Sequence, residues 1–374
     1  MAKNNRPDVY KGRRKKLNVL GIVLSALAVL IVAVLVVFGA FQKYIVYKNS
    51  GISLELPILA TSSPAPEPGE EGSPSVVTAE LEITEPDFSD IESMVGEDQE
   101  RIVAVHVPAD KVTTESIGAY VEKLKSVGGN ALVLELKPPS GQLVWASSSQ
   151  VATDYGTAGT LDLAALVNEL KMQDIYLIGQ LCCCTDDLFV QRCPSAALAL
   201  PSGTQFSNEE GYWLDPYNSM TSQYLRQLSL ELADMGFDEL LYKNLAMPVT
   251  ESQLLYTVQL SSEPNPVSAV CGLALELANE LSNTDVKLSA ILVSTALRAN
   301  QSSQSGQDLS VFCKLFDRLY CAADSVWQGT VDRSSVDYWM YDGDIALRFI
   351  PMLPYIDDSG TFTSQVYRVP EGLI

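Results

Sequence analysis

The sequence contains a single histidine, His106, among 374 residues. A metal centre built from several histidines is therefore excluded, and so is a catalytic triad with a histidine base. No Gly-Xaa-Gly-Xaa-Xaa-Gly turn follows a predicted strand, and the pair Gly128-Gly129 is typical of a helix end. We therefore expect no metal or nucleotide cofactor.

The seven cysteines lack the spacing of a zinc site. Cys182-Cys-Cys184 ends a predicted strand, where alternation would turn Cys183 away from its two neighbours. We predict small buried side chains, with one disulfide as the less favoured alternative. The remaining cysteines are scattered: Cys193, Cys271, Cys313 and Cys321.

Basic residues are scarce outside the first 16 positions. The formal net charge is −21, and residues 1–16 hold seven Lys or Arg, which leaves 18 basic against 45 acidic side chains in the rest. Such an acidic chain repels phosphate polymers. We therefore predict no nucleic-acid partner, and polyanionic envelope polymers are also disfavoured.

Uncharged runs of more than 16 residues are absent except near the N-terminus, where Val19 to Phe41 gives 23 residues without a charge. This length can cross a hydrocarbon core of roughly 30 Å as a helix. Arg13-Arg-Lys-Lys16 precedes it, and positive flanks stay in the cytoplasm. We predict a basic cytoplasmic tail over 1–16 and a single transmembrane helix over 17–41; a cleaved signal peptide is the alternative.

The next segment, 42–100, is predicted to be an acidic extracytoplasmic linker. Thr61 to Pro74 is rich in Pro, Gly, Ser and Glu, a composition that buries too little apolar area to fold. Acidic residues continue to Glu100, and their mutual repulsion favours an extended chain.

From residue 101 onward, short apolar runs alternate with amphipathic segments. This order predicts a parallel sheet covered by helices. The predicted strands are 101–107, 131–137, 175–181, 239–242, 287–293 and 345–350. The predicted helices are 114–127, 161–172, 217–235, 267–281 and 309–319.

Five runs in this region occur in an order that is typical of a known family. The runs are Leu134-Glu-Leu-Lys-Pro-Pro-Ser-Gly141, Asp174-Ile-Tyr-Leu-Ile-Gly179, Trp213-Leu-Asp-Pro-Tyr-Asn218, Met235-Gly-Phe-Asp-Glu-Leu240 and Gly306-Gln-Asp308. On these runs, residues 101–350 resemble the glycoside-hydrolase-like domains of bacterial secreted and membrane-anchored proteins. The resemblance implies a TIM-barrel-like (β/α)8 domain over 101–374, with its site on loops at the carboxyl ends of the strands.

The C-terminal part of this barrel is predicted to be irregular or incomplete. Only 24 residues follow position 350, and Pro351, Pro354 and Gly360 interrupt any helix. A final helix and an eighth parallel strand do not fit there. We expect an extended segment that covers the gap between the first and last strands.

The sequence departs from the family at three strand ends. The family's fourth strand ends Phe-Asp-Tyr-Val-Arg-Phe-Pro, whereas this chain has Tyr242-Lys-Asn-Leu-Ala-Met-Pro248. The resemblance therefore implies that Lys243 replaces the catalytic Asp and that Ala246 replaces the Arg. Ile291 stands where the fifth strand has a second Asp, and the later Ser-Pro-Met-Xaa-Tyr-Pro segment has become 320–325.

These replacements argue against ordinary glycosidase chemistry. Glycoside hydrolysis uses two carboxyl groups on either side of the bond. A lysine cation near an oxocarbenium-like transition state raises its energy. The sequence leaves open whether the protein is an enzyme and favours a pseudoenzyme.

Two remaining carboxylates, Glu135 and Asp215, are the candidates for relocated catalytic acids. Glu135 and Lys137 are two residues apart on one strand, so we expect them on one face as an ion pair at the barrel mouth; a surviving acid is the alternative for Glu135. Asp215 fits a turn or N-cap residue, with ligand contact as the alternative.

Aromatic side chains on the predicted loops could stack on sugars, although packing against the core is the commoner role. They are Trp145, Tyr212, Trp213 and Tyr217. The candidate binding residues are Lys137, Trp213, Tyr217, Tyr242 and Lys243.

We predict a membrane-anchored extracytoplasmic barrel that has lost hydrolytic activity and binds glycan or a protein partner at the cell envelope. The first alternative is an active glycoside hydrolase on a cell-envelope or environmental polysaccharide that uses Glu135 and Asp215. The second is a structural envelope protein whose pocket is vestigial.

Overall fold

The chain divides into two units, Met1–Ala79 and Glu80–Ile374. The computed structural model describes residues 45–48, 51–54, 93–95, 99–257, 265–293, 302–322, 345–358, 360, 362–370 and 372–373. In the first unit, Ile45–Lys48 and Gly51–Leu54 form an antiparallel hairpin, inside the range predicted as linker.

The predicted basic tail, 1–16, and the predicted transmembrane helix, 17–41, lie outside the described residues. Within the described part of the chain, no helix has the length and apolar character needed to cross a membrane.

Eight parallel strands in the second unit form a closed barrel, which confirms the predicted TIM-barrel-like fold. Each strand pairs with the next along the chain, and the last strand pairs with the first. The strands are β1 (Val103–Val107), β2 (Ala131–Lys137), β3 (Tyr176–Cys182), β4 (Glu239–Lys243), β5 (Lys287–Leu292), β6 (Arg318–Ala322), β7 (Phe349–Leu353) and β8 (Gln365–Arg368).

Helices connect most of these strands, and polar side chains fix several helix starts. Asp162 accepts a hydrogen bond from the backbone N–H of Ala165 at 3.1 Å, and Asn218 accepts one from that of Met220 at 2.9 Å. The helices are α1 (Ile117–Ser126), α2 (Gln150–Tyr155), α3 (Leu163–Lys171), α4 (Asp187–Arg192), α5 (Ser219–Asp234), α6 (Pro266–Leu281), α7 (Ser302–Ser305), α8 (Leu309–Leu315) and α9 (Ile345–Arg348).

The last third of the barrel differs from the prediction. The helix predicted over 309–319 ends at Leu315, and the chain then forms β6. The strand predicted over 345–350 begins with the short helix α9, and β7 follows it.

The expectation of an incomplete barrel without an eighth parallel strand was wrong. The C-terminal segment does cover the gap next to β1, as expected. It does so as a parallel strand, β8, which pairs with both β7 and β1 and closes the sheet. Gln365 pairs with Val103, and Arg368 pairs with His106. Between β7 and β8, no helix occurs among the described residues, so four residues of extended chain complete the barrel.

The barrel lumen is filled in layers, because alternate residues of each strand point inward. The middle layer is apolar. In five strands, its residue stands two positions before the inward-facing residue at the carboxyl end of the strand. These apolar residues, Ala104, Val133, Ile178, Leu241 and Val366, belong to one buried cluster.

A buried polar network occupies the lumen at the amino ends of the strands. Glu239 and Arg318, both fully buried, form an ion pair. The Glu239 carboxylate also accepts hydrogen bonds from Ser289 at 2.6 Å, Tyr320 at 2.7 Å and Tyr176 at 3.1 Å. The charge is therefore paired and closely hydrogen-bonded at this end.

Candidate functional site at the barrel mouth

Five polar side chains meet where the strands end at the carboxyl face of the barrel. Each stands two residues beyond a member of the apolar middle layer, so inward alternation brings it to the mouth. They are His106 on β1, Glu135 on β2, Gln180 on β3, Lys243 on β4 and Arg368 on β8, and we call them the mouth cluster. Catalytic and binding residues of TIM barrels lie at this face.

Glu135 is the carboxylate of the mouth cluster. Lys243 Nζ lies 3.5 Å from its Oε1, and Gln180 Nε2 donates to the same oxygen at 3.2 Å. The backbone N–H of Ala109 donates to Oε2 at 3.4 Å. The side chains of Glu135 and Lys243 are 14% and 33% exposed, so the pair is open to solvent and to ligands.

His106 lies beside this pair and is 8% exposed. Burial lowers the pKa of its imidazole to about 4, the Glu135 carboxylate opposes that shift, and the Arg368 and Lys243 cations add to it. The histidine is therefore neutral at pH 7.

Arg368 completes the cluster from the last strand and is exposed. It pairs in register with His106 across the β8–β1 junction. Within the part of the chain that the structure describes, its guanidinium makes no hydrogen bond or ion pair.

Asn244 follows Lys243 with a left-handed backbone, at φ 50°. Asparagine tolerates this region better than most residues. Its amide donates to Thr185 at 2.7 Å and to the carboxylate of Glu210 at 3.0 Å. These bonds fix the chain direction at the end of β4 and bring Glu210, a carboxylate that the sequence did not single out, next to the mouth cluster.

Lys137 does not share a face with Glu135, so the predicted ion pair between them was wrong. A β-bulge shifts the register between them: Glu135 pairs with Gln180, and Lys137 pairs with Leu181. Lys137 is thereby buried outside the lumen, 2.7 Å from Asp186 Oδ2. Burial opposes its charge, but the Asp186 carboxylate outweighs burial and raises the pKa of Lys137.

Asp215 is buried in the loop that precedes α5. Its carboxylate accepts from the backbone N–H of Tyr217 at 2.9 Å, and from the N–H and hydroxyl of Thr257 at 2.6 and 2.8 Å. Burial raises the pKa of Asp215, and its bonds to Thr257 oppose the shift. The residue holds a turn, as the sequence indicated, while Asn218 caps the helix. Glu135 and Asp215 share no hydrogen-bond partner among the described residues.

The predicted aromatic residues lie mostly in the core. Trp145 and Trp213 are 0% and 3% exposed, and Tyr242 is buried with its hydroxyl 3.0 Å from Ser229. Tyr217 is half-buried and contacts the ring of Tyr256 edge-on, with centroids 5.7 Å apart. Of the predicted binding residues, the structure therefore brings only Lys243 to the mouth cluster.

A cavity of about 680 Å³ opens beside the loop that follows β4. Tyr256 lines it, so the aromatic pair with Tyr217 borders this cavity. Its other lining residues include Met247, Pro248, Glu251, Gln253, Pro266 and Gln304.

All seven cysteines are buried free thiols, as predicted for small core residues. In the described ranges, no three His, Cys, Asp or Glu side chains are grouped to hold a metal ion.

A closed barrel of eight parallel strands with polar side chains at their carboxyl ends defines the TIM-barrel class. The chain belongs to the family described as "Putative glycosyl hydrolase domain", whose model matches residues 104–322. No curated protein matches the sequence.

Three solved structures are similar to this chain, and the first of them supports the fold. The glycoside hydrolase domain of PgaB (BpsB) from Bordetella bronchiseptica aligns with a TM-score of 0.53 and 14% identity, over 72% of this chain and 94% of that domain. A hypothetical protein from Ruminiclostridium thermocellum is 22% identical, with a TM-score of 0.45 over 50% of this chain and 96% of its own. The catalytic domain of a Paenibacillus polymyxa beta-amylase gives 0.48 at 11% identity, over 71% and 92%.

Proposed function

We propose that this protein is a non-hydrolytic glycoside-hydrolase-like barrel that binds carbohydrate at its mouth, anchored to the membrane and facing the cell envelope. The observation that carries the proposal is the pairing of Glu135 with Lys243. The mouth cluster has one carboxylate, and a lysine cation lies 3.5 Å from it.

Hydrolysis of a glycosidic bond requires a proton donor and a second carboxylate that attacks carbon or activates water. The relocated pair Glu135 and Asp215 receives little support, because both Asp215 oxygens are engaged in the turn with Tyr217 and Thr257. Lys243 also adds positive charge where a glycosidase transition state becomes positive.

The features of a binding site remain. The mouth cluster presents hydrogen-bonding groups above an apolar layer, and the cavity beside β4 has the size of a small-ligand site. A protein partner at the same face remains the second candidate from sequence.

The proposal is tested with the purified full-length protein on a glycan array and a panel of polysaccharide substrates. We expect specific retention and no turnover. The variant Lys243→Met should change retention, whereas Arg226→Gln, on the outer helix α5, should not. Turnover that disappears in Glu135→Gln would contradict the proposal and favour the hydrolase alternative.

The topology is tested separately. Protease added to intact cells should release a fragment that begins between Thr61 and Glu100, because the linker is expected outside the membrane. Release only after cell lysis would contradict this orientation. A soluble form that begins near Gln42 would indicate signal-peptide cleavage instead.

A further inference from the structure

The mouth cluster carries a net positive charge in a strongly acidic protein. The whole chain has a formal net charge of −21. Within the mouth cluster, by contrast, two basic side chains, Lys243 and Arg368, stand against the carboxylate of Glu135, with His106 neutral beside them. The Glu210 carboxylate next to the cluster is bound by the Asn244 amide, so Arg368 is the cation of the cluster that has no acidic partner among the described residues.

The two cations are not equally engaged. Lys243 contacts Glu135 at 3.5 Å, a long separation for an ion pair. Arg368 has no hydrogen-bond or ion-pair partner among the described residues and is exposed at the rim. A guanidinium in this position offers parallel N–H donors that match a carboxylate.

The floor of the mouth strengthens such a contact. Directly beneath the cluster lie Ala104, Val133, Ile178, Leu241 and Val366, all nearly or fully buried. Charges above an apolar floor interact more strongly than they do in bulk water.

We propose that the barrel mouth binds a sugar through a carboxylate group, with Arg368 as the main anion contact and Lys243 as the second. This inference rests on the proposed carbohydrate-binding function and adds the class of ligand. The acidic chain as a whole disfavours long polyanions, so the ligand carries an isolated acidic group, as a uronic acid residue does.

Titration calorimetry of the purified full-length protein with D-glucuronate, D-glucose and acetate tests this proposal. We expect glucuronate to bind more tightly than either glucose or acetate. Arg368→Gln should weaken glucuronate binding by at least about tenfold, the effect of losing one charge-assisted hydrogen bond. Arg226→Gln, the matched change on α5, should leave it unchanged.

The variant Glu135→Gln is expected to change the affinity for glucuronate in the opposite direction to Arg368→Gln. It removes the carboxylate that lies beside Lys243, so this variant should bind glucuronate more tightly than the unchanged protein does. A thermal melt of each variant separates loss of the contact from loss of the fold. Equal affinity for acetate and glucuronate would overturn the sugar assignment.

Charge-independent binding of glucose and glucuronate at the mouth would overturn the acidic-sugar inference and leave the binding function intact. Hydrolysis of a glycan would overturn the proposed function itself. The two failures are therefore distinguishable.

Discussion

The lumen of the barrel holds a glutamate and a basic side chain at each end, in different surroundings. At the amino ends, Glu239 and Arg318 are completely buried, and two tyrosines and a serine occupy the remaining acceptor positions. At the carboxyl ends, Glu135 and Lys243 are partly exposed and 3.5 Å apart. An apolar layer separates the two pairs.

This difference separates structural charge from charge that is available to a ligand. A buried charge without its partner is costly, so the amino-end network must stay complete in the folded protein. Solvent screens the mouth pair, so it contributes little to stability and can exchange partners. The difference between the two ends can be tested by measuring how substitutions and pH change stability.

The largest effect is expected for Arg318→Met. The substitution leaves the Glu239 carboxylate buried without its cation and should lower the free energy of unfolding by about 3–5 kcal/mol. Urea unfolding measures the loss. The double variant Glu239→Gln/Arg318→Met should lose less than the single one, because the unpaired charge is removed. If Arg318→Met is as stable as the unchanged protein, the buried pair at the amino ends is not required for the fold.

The next largest effect is a pH dependence of the free energy of unfolding, caused by His106. Its pKa is about 4 in the folded protein, below the value near 6.5 of an unfolded histidine, so the unfolded chain binds more protons between these values. This contribution to stability is complete above about pH 6.5 and falls by as much as about 3 kcal/mol as the pH drops to 4.

Imidazole NMR measures the titration directly, because the chain has one histidine. The variant His106→Gln should show a flatter dependence of unfolding free energy on pH over the same window. A histidine that titrates near 6.5 in the folded protein would contradict the geometry of the mouth.

A smaller loss is expected for Asp215→Ala. The change leaves the Thr257 and Tyr217 N–H groups without their acceptor and should cost about 1–3 kcal/mol. Urea unfolding again measures it. Glycan retention at the mouth should survive, because Asp215 shares no partner with Glu135. Loss of retention in a folded Asp215→Ala protein would connect the two regions.

The smallest effect is expected for Lys243→Met, which repeats at the mouth the change made at Arg318. The pair is long and partly exposed, so the free energy of unfolding should fall by under about 1 kcal/mol. A loss comparable to that of Arg318→Met, measured under the same conditions, would show that the mouth pair supports the fold.

The first five strands were predictable because each is a nearly continuous apolar run between turn residues. The segment that forms β6 escaped prediction because its lumen-facing residues are Arg318 and Tyr320, which belong to the polar amino-end network. Phe312 and Phe316, which precede the strand, and Leu319 within it also have helical spacing, so the predicted helix extended into the strand.

The mouth cluster was only partly predictable for related reasons. Lys243 and Glu135 follow from the family's strand ends, but Arg368 belongs to β8, which was not recognised as a barrel strand. His106 and Gln180 stand on predicted strands, where inward alternation is the signal that could have placed them at the mouth. The bulge that diverts Lys137 falls between Glu135 and Lys137, where no glycine marks it.

Closure of the barrel by β8 has a consequence for its biosynthesis. The contact between Ile102 and Ser364 joins residues 262 positions apart, so the edge of β1 stays unpaired until β8 has been made. A ribosome that stops before β8 releases a sheet with two open edges, the form that pairs with other chains and aggregates. The four residues of β8 therefore decide whether a newly made barrel domain closes or becomes a substrate for quality-control proteases.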